Sequence, residues 1–343
     1  MIDSSALAKA KAEADGTAVE ENPLVRAEAD LAWIWGTFYL EALKTSVERY
    51  VDNDDEETTG EDADAEDLSA HLAGLSLFDE LEIKPTRPQI PSNYATSSDE
   101  AKKLFLEGVG CLEKAKRFFV IDGYVSDHAN IVQAMSQLWK CLSAFEKDPL
   151  RRSKLIKRRA DLLTPLLAEL SPHHYLDLMQ AIMYELAAVY EALVDARLNA
   201  WERTAESKVY EDRVKDALEI NELVTKAIKY YTDFIASYAD PTTKMLPEPF
   251  ADADDVRAVM TARWRVARLW ARMLPVPSDV SKSGEKDLRD MKANWLRKSY
   301  EQYERICNYD TRHSIPDYDA EMRVIREMRA LVPVQIREVM EGF

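Results

Sequence analysis

From Ser97 to the end of the 343-residue chain, apolar side chains return every three or four positions, in blocks punctuated by prolines. That period lines up one face of an α-helix, and such a face must be covered by another element. The blocks fall at about 97–120, 126–146, 150–170, 173–203, 209–238, 253–274, 286–308 and 317–341, with Pro149, Pro172, Pro241, Pro275, Pro277 and Pro316 at the breaks. Proline lacks the amide that an interior helical turn uses, so it marks starts and stops. Only 9 glycines and 14 prolines are present, 46% of residues are apolar, and the chain is rich in helix formers. An all-α protein with a sizeable core is expected.

A two-part signature recurs within the blocks. Leu186, Ala187 and Tyr190 match Val266, Ala267 and Trp270: large, small, then aromatic three residues after the small one. Ala115 with Phe119, Ala227 with Tyr231 and Ser299 with Tyr303 each set a small residue four before a ring. The small residue admits a neighbouring helix and the ring fills the space beside it. These are the two halves of a tetratricopeptide-like unit, although the copies at Ala187 and Ala267 lie 80 residues apart, more than one regular repeat. Stacked antiparallel helix pairs, an α-solenoid over residues 97–343, follow.

The first 96 residues read differently. Residues 1–22 are expected to fray, and residues 23–51 form a helix with Leu31, Ile34, Trp35, Phe38, Tyr39 and Leu43 on one face to be buried. Residues 52–67, DNDDEETTGEDADAED, hold ten acids and no base and read as a self-repelling linker. As a calcium loop they would place Asp55, Glu57, Thr59, Gly60 and Glu66 correctly but put Asp62 at an apolar position; the solvated loop is preferred. A short helix over about 68–82 and a Pro-rich loop lead to Ser97, which with Glu100 makes a capping box for the next helix.

Charge follows the same division. Residues 1–100 carry 24 acids against 7 bases, whereas residues 101–343 carry 38 of each, so the net charge of −17 lies entirely in the first part. Such a chain does not suit nucleic acid, which needs concentrated positive charge. No apolar run reaches the length of a membrane span and no signal-peptide order opens the chain, so a cytoplasmic monomer without membrane insertion is expected. Cys111, Cys141 and Cys307 are odd in number and far apart, which suits reduced core thiols.

The motifs that carry catalysis are missing: there is no Gly-rich phosphate loop, no G-x-S-x-G, no H-E-x-x-H and no pair of E-x-x-H motifs. A non-enzyme without cofactor or metal is expected. Three stretches remain. His173 and His174 follow Ser171 and Pro172 and read as a helix start capped by Ser171. RRSKLIKRR, residues 151–159, sets Arg151, Arg152, Lys154, Lys157, Arg158 and Arg159 outward as a solvated basic wall over inward Leu155 and Ile156. In FFVIDGYVSDH, residues 118–128, Asp122, Gly123, Tyr124, Asp127 and His128 gather where one helix ends and another starts. There Gly123 supplies the turn and Ser126 or Asp127 caps the next helix.

IDGYVSDH and the pair RRSK and KRR, followed in order by SPHHY, AIKYYTDFIAS and RWRVARLWARM, resemble the C-terminal half of the KIF-binding protein family over about residues 100–343, and less securely the helix of residues 24–51. The resemblance implies a right-handed solenoid that binds kinesin motor domains, blocks their attachment to microtubules and so acts in cargo transport, mitochondrial positioning and cytoskeletal organisation, without catalysis. The family's long linker falls on the acidic segment, and its N-terminal half has no counterpart in these residues. It also marks Asp122, Gly123, Tyr124, Asp127, His128, Arg151, Arg152, Lys157, Arg158 and Arg159 as candidate partner contacts. Residues 52–67 are expected to steer a basic partner surface, with the helical face giving specificity.

Overall fold

The computed structural model describes residues 22–55, 94–204, 209–276 and 284–342, and every regular element among them is helical. They are α1 (Pro23–Asp55), α2 (Ser98–Phe118), α3 (Val125–Ala144), α4 (Pro149–Glu169), α5 (Leu176–Arg203), α6 (Tyr210–Ser237), α7 (Ala253–Arg272), α8 (Glu285–His313) and α9 (Asp319–Glu341). The chain divides into two compact units, residues 1–118 and 119–343. The expectations for residues 1–21 and 56–93, including most of the acidic linker, the calcium loop and the short helix, lie outside the described residues.

In the first unit α1 and α2 pack together. Pro23 occupies the first helical position and Asn22 Oδ1 accepts the Leu24 amide at 3.1 Å, so the start is pre-organised. The helix runs to Asp55, four residues into the stretch expected to be linker. Gly36 is needed for close approach: a β-carbon there would sit 2.5 Å from Leu112 Cδ2. Tyr39, Leu40 and Leu43 are buried, as are Leu104, Phe105 and Leu112 of α2, but Leu31, Ile34 and Phe38 stay exposed. The stripe read from the sequence was therefore too wide, because one partner helix covers only one side of α1. Ser46 Oγ donates to Ala42 O and accepts the Ala95 amide, tying the approach to α2 onto α1.

At the start of α2, Ser97 Oγ accepts the Glu100 amide at 3.3 Å. Glu100 does not close the box on Ser97; its Oε2 takes the Thr96 amide at 2.9 Å and the Thr96 hydroxyl at 3.0 Å. These bonds hold the Glu100 carboxyl below its ordinary range.

In the second unit each helix from α4 to α9 packs on the one before it. The short connections after α3, α4, α5 and α8 make those neighbours antiparallel. The small and aromatic signatures fall on alternate helices, as a two-helix repeat requires: Ala227 and Tyr231 on α6 and Ser299 and Tyr303 on α8 are buried, with Leu186 and Ala187 on α5 and Val266 and Ala267 on α7. Tyr190 stacks on Tyr230 at 5.6 Å. Helix α4 contains no aromatic residue; there a polar junction replaces the ring, as described below.

Two of the helices hold prolines in their interior, Pro165 in α4 and Pro333 in α9, both on exposed positions. Both fall inside expected helical blocks and are tolerated there because a proline facing solvent leaves its orphaned carbonyl to water. Polar side chains also fix the connection after α7. Asn221 of α6 donates to Leu274 O and accepts the Leu274 amide, and Lys292 of α8 donates to Ala271 O and Met273 O at 2.6 and 3.0 Å. The lysine charge thus meets the negative end of α7, although burial pulls its ammonium down.

Candidate functional site

The ten candidate residues occupy two places. Asp122, Gly123, Tyr124, Asp127 and His128 lie at the start of α3, while Arg151, Arg152, Lys157, Arg158 and Arg159 lie on α4 beyond the far end of α3. At 1.5 Å per residue, roughly 25 Å of α3 separates the turn from the start of α4, and α4 then runs back so that Arg159 meets Ser136, about 12 Å along α3 from His128. They do not form one site.

The turn is built from backbone and one histidine. The Gly123 and Tyr124 amides donate to Val120 O at 3.3 and 3.0 Å, and Tyr124 O accepts the His128 amide at 2.8 Å. Helix α3 begins at Val125 with Tyr124 as its N-cap, and no side chain caps it. The expected cap from Ser126 or Asp127 is absent because both residues are already inside the first turn. His128 Nδ1 bonds Phe119 O at 2.7 Å, joining the two ends of the turn, and the Phe119 ring meets Tyr124 edge-on.

Gly123 is not required by this geometry. Its φ is not positive and a β-carbon would meet nothing within 4 Å. Replacing Gly123 with alanine is expected to leave the fold intact or stabilise it by about 0.4–1 kcal/mol, through the unfolded chain. A fall in thermal midpoint would contradict this geometry; a normal midpoint with weakened partner binding would assign the exposed glycine to contact.

The same helix start recurs. Tyr175 opens α5 and Tyr318 opens α9 with backbone angles like those of Tyr124 (φ −131, −128 and −134°), each with its carbonyl accepting an amide four residues on. His173 and His174 accordingly sit in the turn before α5, not in the helix, and Ser171 does not cap it. Ser171 instead lends its carbonyl to the His174 and Tyr175 amides.

On α4 the wall is real except at one position. Arg151, Arg152, Lys154, Lys157 and Arg158 are exposed, but Arg159 is buried, 5% exposed. Its Nη2 donates to Glu185 Oε1 of α5 at 3.0 Å and its Nε to Ser136 Oγ of α3 at 3.2 Å, while Ser136 and Gln137 also donate to Glu185. Burial pulls the Arg159 guanidinium down, and Glu185 partly offsets this. Arg159 was expected to face outward with its neighbours; a turn of α4 beyond Ile156, it points into the layer where α3, α4 and α5 meet.

A second junction stands one step along. Glu191 of α5 accepts the Tyr231 hydroxyl of α6 and Arg265 of α7, both at 3.0 Å. Burial first, then the Glu191 charge, drives the Tyr231 phenol far above its ordinary value. Sequence reasoning missed both acids, because a lone glutamate on an amphipathic helix looks like any surface residue.

Between α4 and α6, with α5 as floor, lies a cavity of about 360 Å³ whose lining includes Lys154, Lys157, Asp161, Arg197, Glu222 and Lys226. Charges of both signs line it. Among the described residues no three His, Cys, Asp or Glu side chains are grouped to hold a metal, and no helix is long and apolar enough to cross a membrane.

A family model described as KIF-1 binding protein C terminal matches residues 1–339. The chain belongs to the KIF-binding protein family. The match takes in the acidic segment and the helix before it together with the helical array, the parts to which the resemblance had been extended in sequence. KIF-binding protein of Gallus gallus is 32% identical over 73% of this chain and 40% of its own length. That of Homo sapiens is 34% identical over 69% of this chain and 36% of its own length. That of Danio rerio is 29% identical over 98% of this chain and 52% of its own length. The chain thus spans about half or less of these KIF-binding proteins. A solved structure of kinesin binding protein (KBP) shares 32% identity with it, covering 70% of this chain and 45% of the other, at a TM-score of 0.46.

Proposed function

We propose that this chain is a non-catalytic adaptor that binds kinesin motor domains and blocks their attachment to microtubules, and through this influences cargo and mitochondrial transport. The observation that carries the reading is the family match over residues 1–339. It acts as a cytoplasmic, cytoskeleton-associated monomer, with neither nucleic acid nor membrane as partner.

Charge supports a division of labour. A surface that docks on acidic microtubules is basic, and the acid of this chain is concentrated before residue 100, so residues 52–67 steer the encounter. The turn at Asp122–His128 and the outward bases of α4 are then two separate contacts. Those bases, starting at Arg151 and Arg152, sit at the positive end of the α4 dipole, where helix stability alone would disfavour them. That is a reason to look for a partner there.

Co-sedimentation of a kinesin motor domain with microtubules tests the reading. Adding this chain in excess is expected to move the motor from pellet to supernatant; an unchanged pellet at saturating concentration would overturn it. Replacing the ten acids of residues 52–67 with Ser and Asn is expected to slow association by about tenfold at low salt and to flatten its salt dependence. A scaffold for short peptides would leave the motor in the pellet and capture extended segments instead.

A further inference from the structure

Between α6 and α8, with α7 as floor, two adjoining cavities of about 360 and 370 Å³ share Lys244, Leu246, Arg263 and Arg305 in their linings. Lys244 comes from the loop before α7, Arg263 from α7 and Arg305 from α8. This is the counterpart, one repeat along, of the mixed-charge cavity between α4 and α6, but here the balance is strongly positive. The only carboxylate in either lining is Glu248, and both of its oxygens are taken by Arg312, at 2.6 and 3.0 Å. Nearby Asp240 turns its Oδ1 to the Thr242 and Thr243 amides.

Arg263 is the anomaly. Three other arginines of α7 are matched with acids, Arg257 with Asp254 and Asp317, Arg265 with Glu191 and Arg272 with Asp195, and Arg268 lies over the Trp264 ring. Arg263, half-buried, reaches only the neutral Gln302 Oε1 at 3.2 Å, and Arg305 has no hydrogen bond or ion pair among the described residues. Desolvation first, then the Arg305 charge, pulls the Arg263 guanidinium down to about 10, although the Glu248 carboxylate, held by Arg312, offsets part of this. An unpaired guanidinium held partly out of water beside a second one costs stability, and an incoming anion would remove that cost.

We propose that this trough binds an extended polypeptide carrying a phosphorylated serine or threonine, with the phosphate held between Arg263, Arg305 and Lys244. Two guanidiniums and an ammonium match a dianionic phosphate better than a single carboxylate, and the guanidiniums can each give it paired hydrogen bonds. The apolar lining argues for a peptide around the phosphate. Ile235, Ala236 and Val266 flank the cations on one side and Met260, Phe250 and Tyr309 on the other, more surface than a lone anion covers. The proposal does not depend on kinesin binding.

Fluorescence anisotropy with the full chain tests it, using a short labelled peptide with one phosphoserine, its serine and glutamate versions, and inorganic phosphate as competitor. The phosphopeptide is expected to bind about tenfold or more tighter than either other peptide, and inorganic phosphate to displace it only at about a hundredfold higher concentration. Arg263→Met and Arg305→Ala should each weaken binding about tenfold, while Lys157→Ala, in the other cavity, should not. Because Arg263→Met removes an unpaired cation, it should melt no lower than the parent, which separates lost binding from lost fold. Equal affinity for the three peptides, inorganic phosphate binding as tightly as the phosphopeptide, or full binding by Arg263→Met would each overturn the proposal.

Discussion

Replacing Glu185 with alanine is expected to destabilise the unit of residues 119–343 by about 3–5 kcal/mol, because it leaves the Arg159 guanidinium buried without its acid. The two side chains are only 6% and 13% exposed, so water cannot take over the lost role. Ser136 and Gln137 lose an acceptor in the same step. The double variant Arg159→Met with Glu185→Leu should recover most of the loss or exceed the parent, since apolar side chains of similar volume remove the desolvation cost along with the pair. Urea unfolding followed by helix signal would show both. If the single variant lost under 1 kcal/mol, the junction would be solvated and its burial wrong.

Tyr231→Ala should be as damaging, about 3–5 kcal/mol. The ring is fully buried between α5, α6 and α7, it meets Tyr184 edge-on at 5.5 Å, and its hydroxyl is one of two described donors to Glu191. Tyr231→Phe keeps the ring and costs about 1–2 kcal/mol, the share of the hydrogen bond. The same buried phenols predict alkaline instability. In the unfolded chain Tyr318 titrates at its ordinary 10.0, whereas in the fold burial pushes it up to about 12, and Tyr231 is raised further. The folded state therefore holds protons that the unfolded chain releases. The stabilisation is fully present below pH 10.0 and declines above it, by about 1.4 kcal/mol per pH unit for each phenol. For Tyr318 the decline ends near pH 12. Denaturant midpoints at pH 9, 10.5 and 11.5 would trace it, and a flat profile would place the phenols in solvent.

The helices were legible because each must hide an apolar face, and the period of that face survives in sequence. Boundaries moved where local turn chemistry decided: α8 runs to His313, past the expected 308, and α5 starts three residues later than expected because Tyr175, not Ser171, opens it. Ala227 with Tyr231 and Ser299 with Tyr303 could be read ahead of any coordinates, since small and large side chains at fixed spacing have few other uses in helices. Arg159 could not. Its identity matches its exposed neighbours, and only the positions of α3 and α5 reveal that an acid waits opposite. Arg263 was hidden for the converse reason, since nothing in sequence says which arginine goes without an acid. Gly123 was misjudged because glycine suggests a left-handed backbone that this turn does not use.

Helix α5 carries Glu185 toward α3 and α4, and Glu191 toward α6 and α7. In a row of helices where each packs mainly on its neighbours, opening at one end need not disturb the other. A helix bonded by buried charge on both flanks interrupts that independence. Amide exchange should therefore be slowest along α3 to α7 and graded toward α9, so that the array behaves as a cooperative centre with a looser margin, and a ligand that orders the α8 side would lengthen the cooperative block rather than merely add its own contacts.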